Sequence, residues 1–311
     1  MMKQSTSHIL MIRPVDFQLN NETAVNNYFQ KNINLSKEEL NLKAQKEFDD
    51  FVKVLRESHL DVYVYDDLPE NKTPDSIFPN NWISFHESGN LALYPMFAKN
   101  RRSERRQDIL EDLEQKGFEF YQVYDYTDAE NEQVFLEGTG SLTLDRINRK
   151  AYCALSPRAN EELLIEFCED FEYLPIPFKA YQNVDGQRLP IYHTNVMMCV
   201  GTDVAVVCFD SIDDKAEKKL VSRSLKEDGK TIVEISEQQL EAYAGNMLEV
   251  QNQKGEKFLV MSSQAYESLD SSKIQIIEEH LKILHSPLNT IETLGGGSAR
   301  CMMAEIFNPK A

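Results

Sequence analysis

Near the end of the chain, Cys301 follows the run Leu294-Gly-Gly-Gly-Ser-Ala-Arg300. Consecutive glycines allow positive φ and let backbone N–H groups approach a ligand closely. A thiol placed directly after such a run, beside Arg300, can be held as the nucleophilic thiolate by positive charge and amide dipoles. The plainer alternative is a buried structural cysteine after a flexible turn. The run is not G-x-S-x-G, so a serine nucleophile elbow is not supported. His193, in Tyr192-His193-Thr194-Asn195, is the one histidine of six set in a polar loop; His8, His59, His86, His280 and His285 read as parts of helices or strands. It is the natural base and acid for Cys301. Glu137, in Phe135-Leu136-Glu137-Gly138-Thr139-Gly140-Ser141, places a carboxylate before two glycines, suited to orient His193 or accept a substrate N–H. The stretch Asp75-Ser-Ile-Phe-Pro-Asn80-Asn81-Trp82 carries the only tryptophan, and by itself reads as a turn. No H-E-x-x-H or paired His/Cys spacing is present, so neither a metal nor a cofactor is expected.

The elements that position these residues repeat. WISFHESGNLAL, from Trp82, reads as two short strands around a Ser-Gly-Asn turn. An amphipathic helix pattern follows from Glu104 to Gln115, then the strand FEFYQVY. The same order recurs from SLTLDRINRKAYCAL, from NVMMCVGTDVAVVCF and from NMLEVQNQKGEKFLVM, so that units begin near 82, 141, 195 and 246. This is an internal repeat of β-hairpin, helix and strand. The ends supply a fifth unit: the strand HILMIRP, a helix from Lys37 to Glu57, the strand DVYVY and a short strand around Met302 to Phe307. Pairing of the last strand with the first would close five units into a ring with no exposed sheet edge. The expectation is an α/β fold, a five-bladed α/β propeller of ββαβ units, as one domain over 1–311. Asp75 to Trp82, Glu137, His193 and Cys301 then fall at corresponding unit boundaries, near the axis.

Composition narrows the partners. The 311 residues carry 33 basic and 51 acidic side chains, a formal charge of −18, which repels phosphate backbones and anionic lipid. A nucleic-acid or membrane-surface protein is disfavoured and a small-molecule substrate expected. Five cysteines without C-x-x-C spacing fit reduced thiols in a cytoplasmic protein. Ile9 to Ile12 is too short an apolar run for a signal-peptide core.

The set P-D-S-I-F-P-N-N-W, R-R-S-E, L-E-G-T-G, A-L-S-P-R-A-N, Y-H-T-N, A-G-N-M-L-E-V and G-G-G-S-A-R-C-M resembles the arginine deiminase, amidinotransferase and dimethylarginine hydrolase superfamily, the penteins. The segments R-P-x-x-F, N-N-Y-F-Q and F-P-N-N-W are most similar to its citrulline-utilisation hydrolase branch. The resemblance runs from about Pro14 to Glu305 and implies a five-bladed α/β propeller. It makes Cys301 the nucleophile, His193 the general acid/base and Glu137 the carboxylate beside it. Arg101 and Arg158 match positions that hold a substrate carboxylate, and Asp75 one that receives the substrate amino group. Where guanidine-modifying relatives commonly place aspartates, this chain has Asn81 and Asn195. Two neutral amides suit a neutral ureido group better than a cationic guanidinium.

The expectation is therefore a cofactor-free hydrolase of a ureido amino acid, citrulline foremost, acting through an S-carbamoyl enzyme. Asn81 or the Gly295 to Gly297 amides are candidate oxyanion donors. The rivals are a guanidino substrate, for an arginine deiminase, a methylarginine hydrolase or an amidinotransferase, and a non-catalytic ligand-binding propeller. Substrate chain length stays open, and room is left for a homodimer.

Overall fold

The computed structural model describes residues 3–310. Its strands form five three-stranded sheets of one topology, an antiparallel pair followed by a parallel third strand, and one separate two-stranded hairpin. Four sheets are continuous in sequence. Ile83–Phe85 pairs with Leu91–Leu93 and this with Val123–Asp125; Leu142–Asp145 pairs with Lys150–Ala154 and this with Leu174–Phe178. Met198–Val200, Val204–Val207 and Thr231–Glu234 form the next, and Leu248–Gln251, Lys257–Ser262 and Lys282–Ser286 the fourth. The fifth joins the chain ends: Ala304–Glu305 runs antiparallel to His8–Arg13, with Ile9 opposite Glu305, and His8–Arg13 runs parallel to Asp61–Asp66. The sheets remain separate hydrogen-bonded units, and no single closed sheet forms, so the expectation of a ring without edges is not met in that form.

Each parallel connection passes through helix. Lys37–Glu57 starts at a reciprocal cap: Ser36 Oγ accepts the Glu39 N–H at 3.2 Å while Glu39 Oε2 accepts the Ser36 N–H at 3.0 Å. Leu40, Ala44, Phe48, Phe51 and Leu55, three or four residues apart, make its buried face. The Glu104 to Gln115 pattern is helix only over Gln107–Gln115, its first residue ending a 3₁₀ segment Lys99–Glu104. FEFYQVY contributes only its last two residues, Val123 and Tyr124, to the strand Val123–Asp125, because the backbone of Phe118 and Glu119 is drawn to Lys310 and Pro309 instead. The hairpin Tyr181–Val184 with Gln187–Pro190 lies outside the repeat. Its turn, Asp185-Gly186, has φ of 49° and 79°, the left-handed pair that an Asp-Gly turn favours.

The entry to each first strand positions the site. A one-turn helical segment precedes four of these strands: Pro79–Asn81, Gly138–Ser141, Thr194–Val196 and Ala299–Met302. Before the fourth repeat a tight turn, Asn246 N–H to Tyr243 O at 2.8 Å, takes that place. The segment Gly138–Ser141 packs on Pro79–Asn81 and on Thr194–Val196, and Pro79–Asn81 packs on Ala299–Met302. Among the described residues no helix is long and apolar enough to cross a membrane.

Candidate active site

Glu137 and His193 are the residues that cap two of these turns, and their backbones aim both side chains at one another: His193 Nε2 lies 2.7 Å from Glu137 Oε2. Glu137 is fully buried and His193 is 2% exposed. Burial alone would raise the Glu137 carboxyl, but Arg158 and then the His193 contact overcome it and hold it at about 2. Burial lowers His193 to about 4 against the pull of Glu137. At neutral pH the pair is thus a carboxylate and a neutral imidazole, with Nε2–H donating to Oε2 and Nδ1 left as the basic nitrogen. Glu137 Oε1 accepts the Phe97 N–H at 2.9 Å, and Arg158 Nη1 lies 3.5 Å from Oε2.

Gly140 lets these turns close. A Cβ there would sit 2.4 Å from Asn81 Nδ2 and 2.7 Å from His193 Nδ1, so any side chain would separate the two. Gly297 is similarly tight, its missing Cβ falling 2.9 Å from Phe78 and 3.3 Å from Cys301 Cβ. Of the three consecutive glycines only Gly296 has positive φ, 62°, and its N–H is bonded to Glu292 O at 3.0 Å. Gly295 is the last residue of the helix Asn289–Gly295. The run is therefore a close-packed helix end rather than an open cradle of N–H groups.

Cys301 lies in the 3₁₀ turn Ala299–Met302, 2% exposed, in the apolar core cluster with Phe17, Phe78 and Met302. It is a core residue rather than a loop residue. Its Sγ receives Asn195 Nδ2 at 3.4 Å and Asn246 Nδ2 at 3.2 Å. The Arg300 side chain does not face the sulfur: it donates to Met303 O and Glu305 Oε2, both at 2.9 Å. The local positive charge expected beside the thiol is thus replaced by two amide dipoles. Asn246 also accepts the Arg300 N–H at 3.0 Å and donates to Asn195 O at 2.8 Å, fixing the turn that carries the thiol. Sequence reading passed over Asn246, although it stands in the A-G-N-M-L-E-V motif at the start of the fourth unit, the position its counterparts occupy in the other units.

The two arginines differ. Arg101 grips Glu104 with Nε and Nη2, both 2.9 Å, donates Nη1 to Asn81 Oδ1 at 2.8 Å, and reaches the carbonyls of Asp75 and Phe78 at 3.3 Å. The edge that would face a substrate carboxylate in the clamp expected of it is occupied here by Glu104. Burial raises Glu104 to about 8 against the pull of Arg101. Arg158 is bound to the segment before helix Lys37–Glu57, donating Nε to Asn26 Oδ1 and Nη2 to Thr23 O, both at 2.9 Å, and leaving Nη1 toward Glu137.

That segment covers the site. Asn20 and Thr23 donate to Asp75 Oδ2 at 2.8 and 3.0 Å, Asn27 to Gly295 O and Gly296 O at 3.3 Å, and Gln30 to Gly295 O at 3.2 Å. Its role escaped sequence reading because its contacts are polar, irregular and far apart in sequence. Among the described residues, the buried polar atoms without a partner include Asp75 Oδ1, Ser76 Oγ, Asn80 Nδ2 and Trp82 Nε1, all in one stretch, and Asn195 Oδ1. Such atoms are rare in a folded interior and mark where ligand groups bond. Asn81 is paired on both sides, its Nδ2 donating to Asn80 Oδ1 at 3.0 Å. No group of three or more metal-ligating side chains occurs among the described residues.

The fold is shared with solved structures. An arginine dihydrolase from the ornithine-ammonia cycle in cyanobacteria, ArgZ, superposes with a TM-score of 0.74 at 17% identity, over 98% of this chain and 41% of that one. Its N-terminal domain alone, bound to substrate, matches over 97% of this chain and 98% of that one, also with a TM-score of 0.74. The chain thus spans about two fifths of full-length ArgZ. A dimethylarginine hydrolase (DDAH) from Pseudomonas aeruginosa, complexed with citrulline, matches with a TM-score of 0.67 at 15% identity, over 98% of this chain and all of the other. No curated protein sequence matches. A family model described as N,N dimethylarginine dimethylhydrolase, eukaryotic, matches residues 13–308, and this pentein chain belongs to that family.

Proposed function

We propose that the protein is a cysteine-dependent hydrolase of a ureido or guanidino amino acid, with citrulline as preferred substrate and ornithine, carbon dioxide and ammonia as products. The observation that carries the choice is Asn195, whose Nδ2 touches Cys301 Sγ while its Oδ1 is buried and unpaired. A neutral carbonyl beside the nucleophile accepts a ureido N–H. A guanidinium there would be a buried cation facing an uncharged group, at a cost of several kcal/mol.

In this reading Cys301 Sγ attacks the ureido carbon. His193 Nδ1 takes up the Cys301 thiol proton as the sulfur attacks; the bond from that carbon to the side-chain nitrogen then breaks, and the imidazolium passes that proton to the departing amine. Water, deprotonated at His193 Nδ1, then attacks the S-carbamoyl carbon and expels the thiolate; the carbamate decays to carbon dioxide and ammonia. Glu137 holds the imidazole with Nδ1 free and stabilises it when charged. Asn80 Nδ2, a buried donor without a partner, is assigned to the oxyanion. Asp75 Oδ1 receives the substrate amino group, and Arg158 the carboxylate once Asn26 gives way. The same reading takes 1–311 as one domain with its five sheets as blades about an axis. In support, Ala304–Glu305 lies beside Ile83–Phe85, and Met198–Val200 beside both Leu142–Asp145 and Leu248–Gln251.

A guanidino substrate is the second reading, favoured by the family that the chain belongs to and by the names of its structural relatives. Product release from citrulline, arginine, methylated arginine, agmatine and carbamoyl-putrescine tests the two together. Ornithine and ammonia from citrulline, at the highest kcat/KM of the panel, is expected. Turnover of arginine or methylarginine with citrulline inert overturns the ureido assignment.

A further inference from the structure

A cavity of about 500 Å³, lined by none of the residues around Cys301, opens beside Arg146, the residue that follows the strand Leu142–Asp145. Its floor is cationic and aromatic. Arg146, 6% exposed, lies with its guanidinium over the Phe307 ring, 3.9 Å from the centroid. Stacking covers a face of the guanidinium but leaves its N–H edges open. Among the described residues those edges have no hydrogen-bond acceptor. Glu305 Oε2 is 3.9 Å away and accepts from Arg300 Nη2 at 2.9 Å instead. Arg149 is engaged, its Nε donating to Glu172 O at 3.1 Å and its guanidinium lying 4.2 Å from the Tyr173 ring centroid. His86 stacks on Phe171 at 3.9 Å and meets Ser84 Oγ at 2.8 Å, so it closes the floor without offering charge. The mouth is mainly acidic: Glu87, Glu169, Asp170 and Glu172 line the cavity and are exposed, joined by Lys3, and Glu172 Oε2 lies 4.0 Å from Arg149 Nη2.

A guanidinium this buried loses its hydration, and an in-plane N–H edge fits a carboxylate through two parallel hydrogen bonds. Acidic side chains at the mouth fit an ammonium group and disfavour a simple anion. We propose that this cavity is a second binding site, for a zwitterionic α-amino acid, with the ligand carboxylate on Arg146 and its ammonium toward Glu87, Glu169 and Glu172.

Calorimetric titration of the whole chain with L-ornithine tests this. Unmodified protein should bind one more ornithine per chain than Arg146→Gln, whatever binds at the Cys301 centre, with Arg146→Lys intermediate in affinity. Glu87→Gln with Glu169→Gln, both on the surface and harmless to folding, should weaken that extra site several-fold. Equal stoichiometry in unmodified protein and folded Arg146→Gln overturns the site. Unchanged affinity in the double rim variant, or full displacement of the extra ornithine by equimolar inorganic phosphate, overturns the zwitterion assignment.

Discussion

His193 Nε2 and Glu137 Oε2 meet at 2.7 Å with both side chains buried, and the contact fixes which imidazole nitrogen is basic. His193 falls from 6.5 to about 4 and Glu137 from 4.5 to about 2. Each binds fewer protons folded than unfolded, so each contributes stability that is full above its unfolded value and lost as pH falls toward its folded one. The expected outcome is a Tm that declines from about pH 6.5 downward, together with a kcat/KM whose acidic limb lies well below pH 6. Glu137→Gln should lower kcat by ~10²- to 10⁴-fold. An acidic limb at 6.5 or above would contradict a buried neutral His193.

Arg101 and Arg158 should separate into stability and binding. Arg101→Ala leaves the buried Glu104 carboxyl without its donors, at a cost of about 1–3 kcal/mol, read as a drop in Tm. Arg158→Ala should raise KM for amino-acid substrates by the equivalent of ~1.5–3 kcal/mol. Its effect on decarboxylated analogues should be small. The reverse pattern, Arg101→Ala stable but defective only in KM, would restore Arg101 to the carboxylate clamp.

The amide contacts to Cys301 predict its reactivity. Burial raises Cys168 and Cys199 to about 12 and pushes Cys153 and Cys208 up as well, leaving these thiols protonated. Iodoacetamide at pH 7 should label Cys301 first, and Asn246→Ala should slow both labelling and turnover by ~10-fold. Cys301→Ala should abolish turnover at a cost of about 1 kcal/mol of stability, from the small void left in the core. Labelling spread evenly over the five thiols would favour a binding protein over an enzyme.

Glu292 gives a pH effect of opposite sign. Burial raises it to about 7, with Ser298 Oγ on Oε1 at 2.6 Å and Oε2 unpaired. The folded state binds the extra proton, so this contribution is full below about 4.5 and lost as pH rises through 7. Glu292→Gln should raise Tm at pH 8 by a few degrees and leave it little changed at pH 5. A lower Tm at pH 8 would show that the carboxylate form is the one the fold needs.

The repeat was legible because hairpin, helix and strand periodicities recur locally. Lys37–Glu57 could be read to both ends because a capping box and a regular apolar face mark it. Candidate site residues could be placed at unit boundaries for the same reason, and there Glu137 touches His193 and Asn195 touches Cys301. What is held by long-range polar contacts was not. The cover over Asp75 joins Asn20 and Thr23 to a residue more than fifty positions away, and Arg158 reaches Asn26 and Thr23 across more than 130. The Asp185-Gly186 turn did carry a signal, but its hairpin falls outside the repeat and so outside the pattern being followed.

The central claim is that neutral amides beside Cys301 select a ureido group. Asn81 is a poor place to test it, because its Oδ1 already accepts from Arg101, and an aspartate there would pair with that guanidinium. Asn195, with Oδ1 free, is the decisive position. The measurement is the ratio of kcat/KM for citrulline to that for arginine, in the unmodified enzyme and in Asn195→Asp. The account predicts a ratio above one that falls by ~1–3 kcal/mol equivalents in Asn195→Asp, even if both rates drop. An unmodified enzyme that prefers arginine, or an Asn195→Asp that shifts the ratio further toward citrulline, would contradict it.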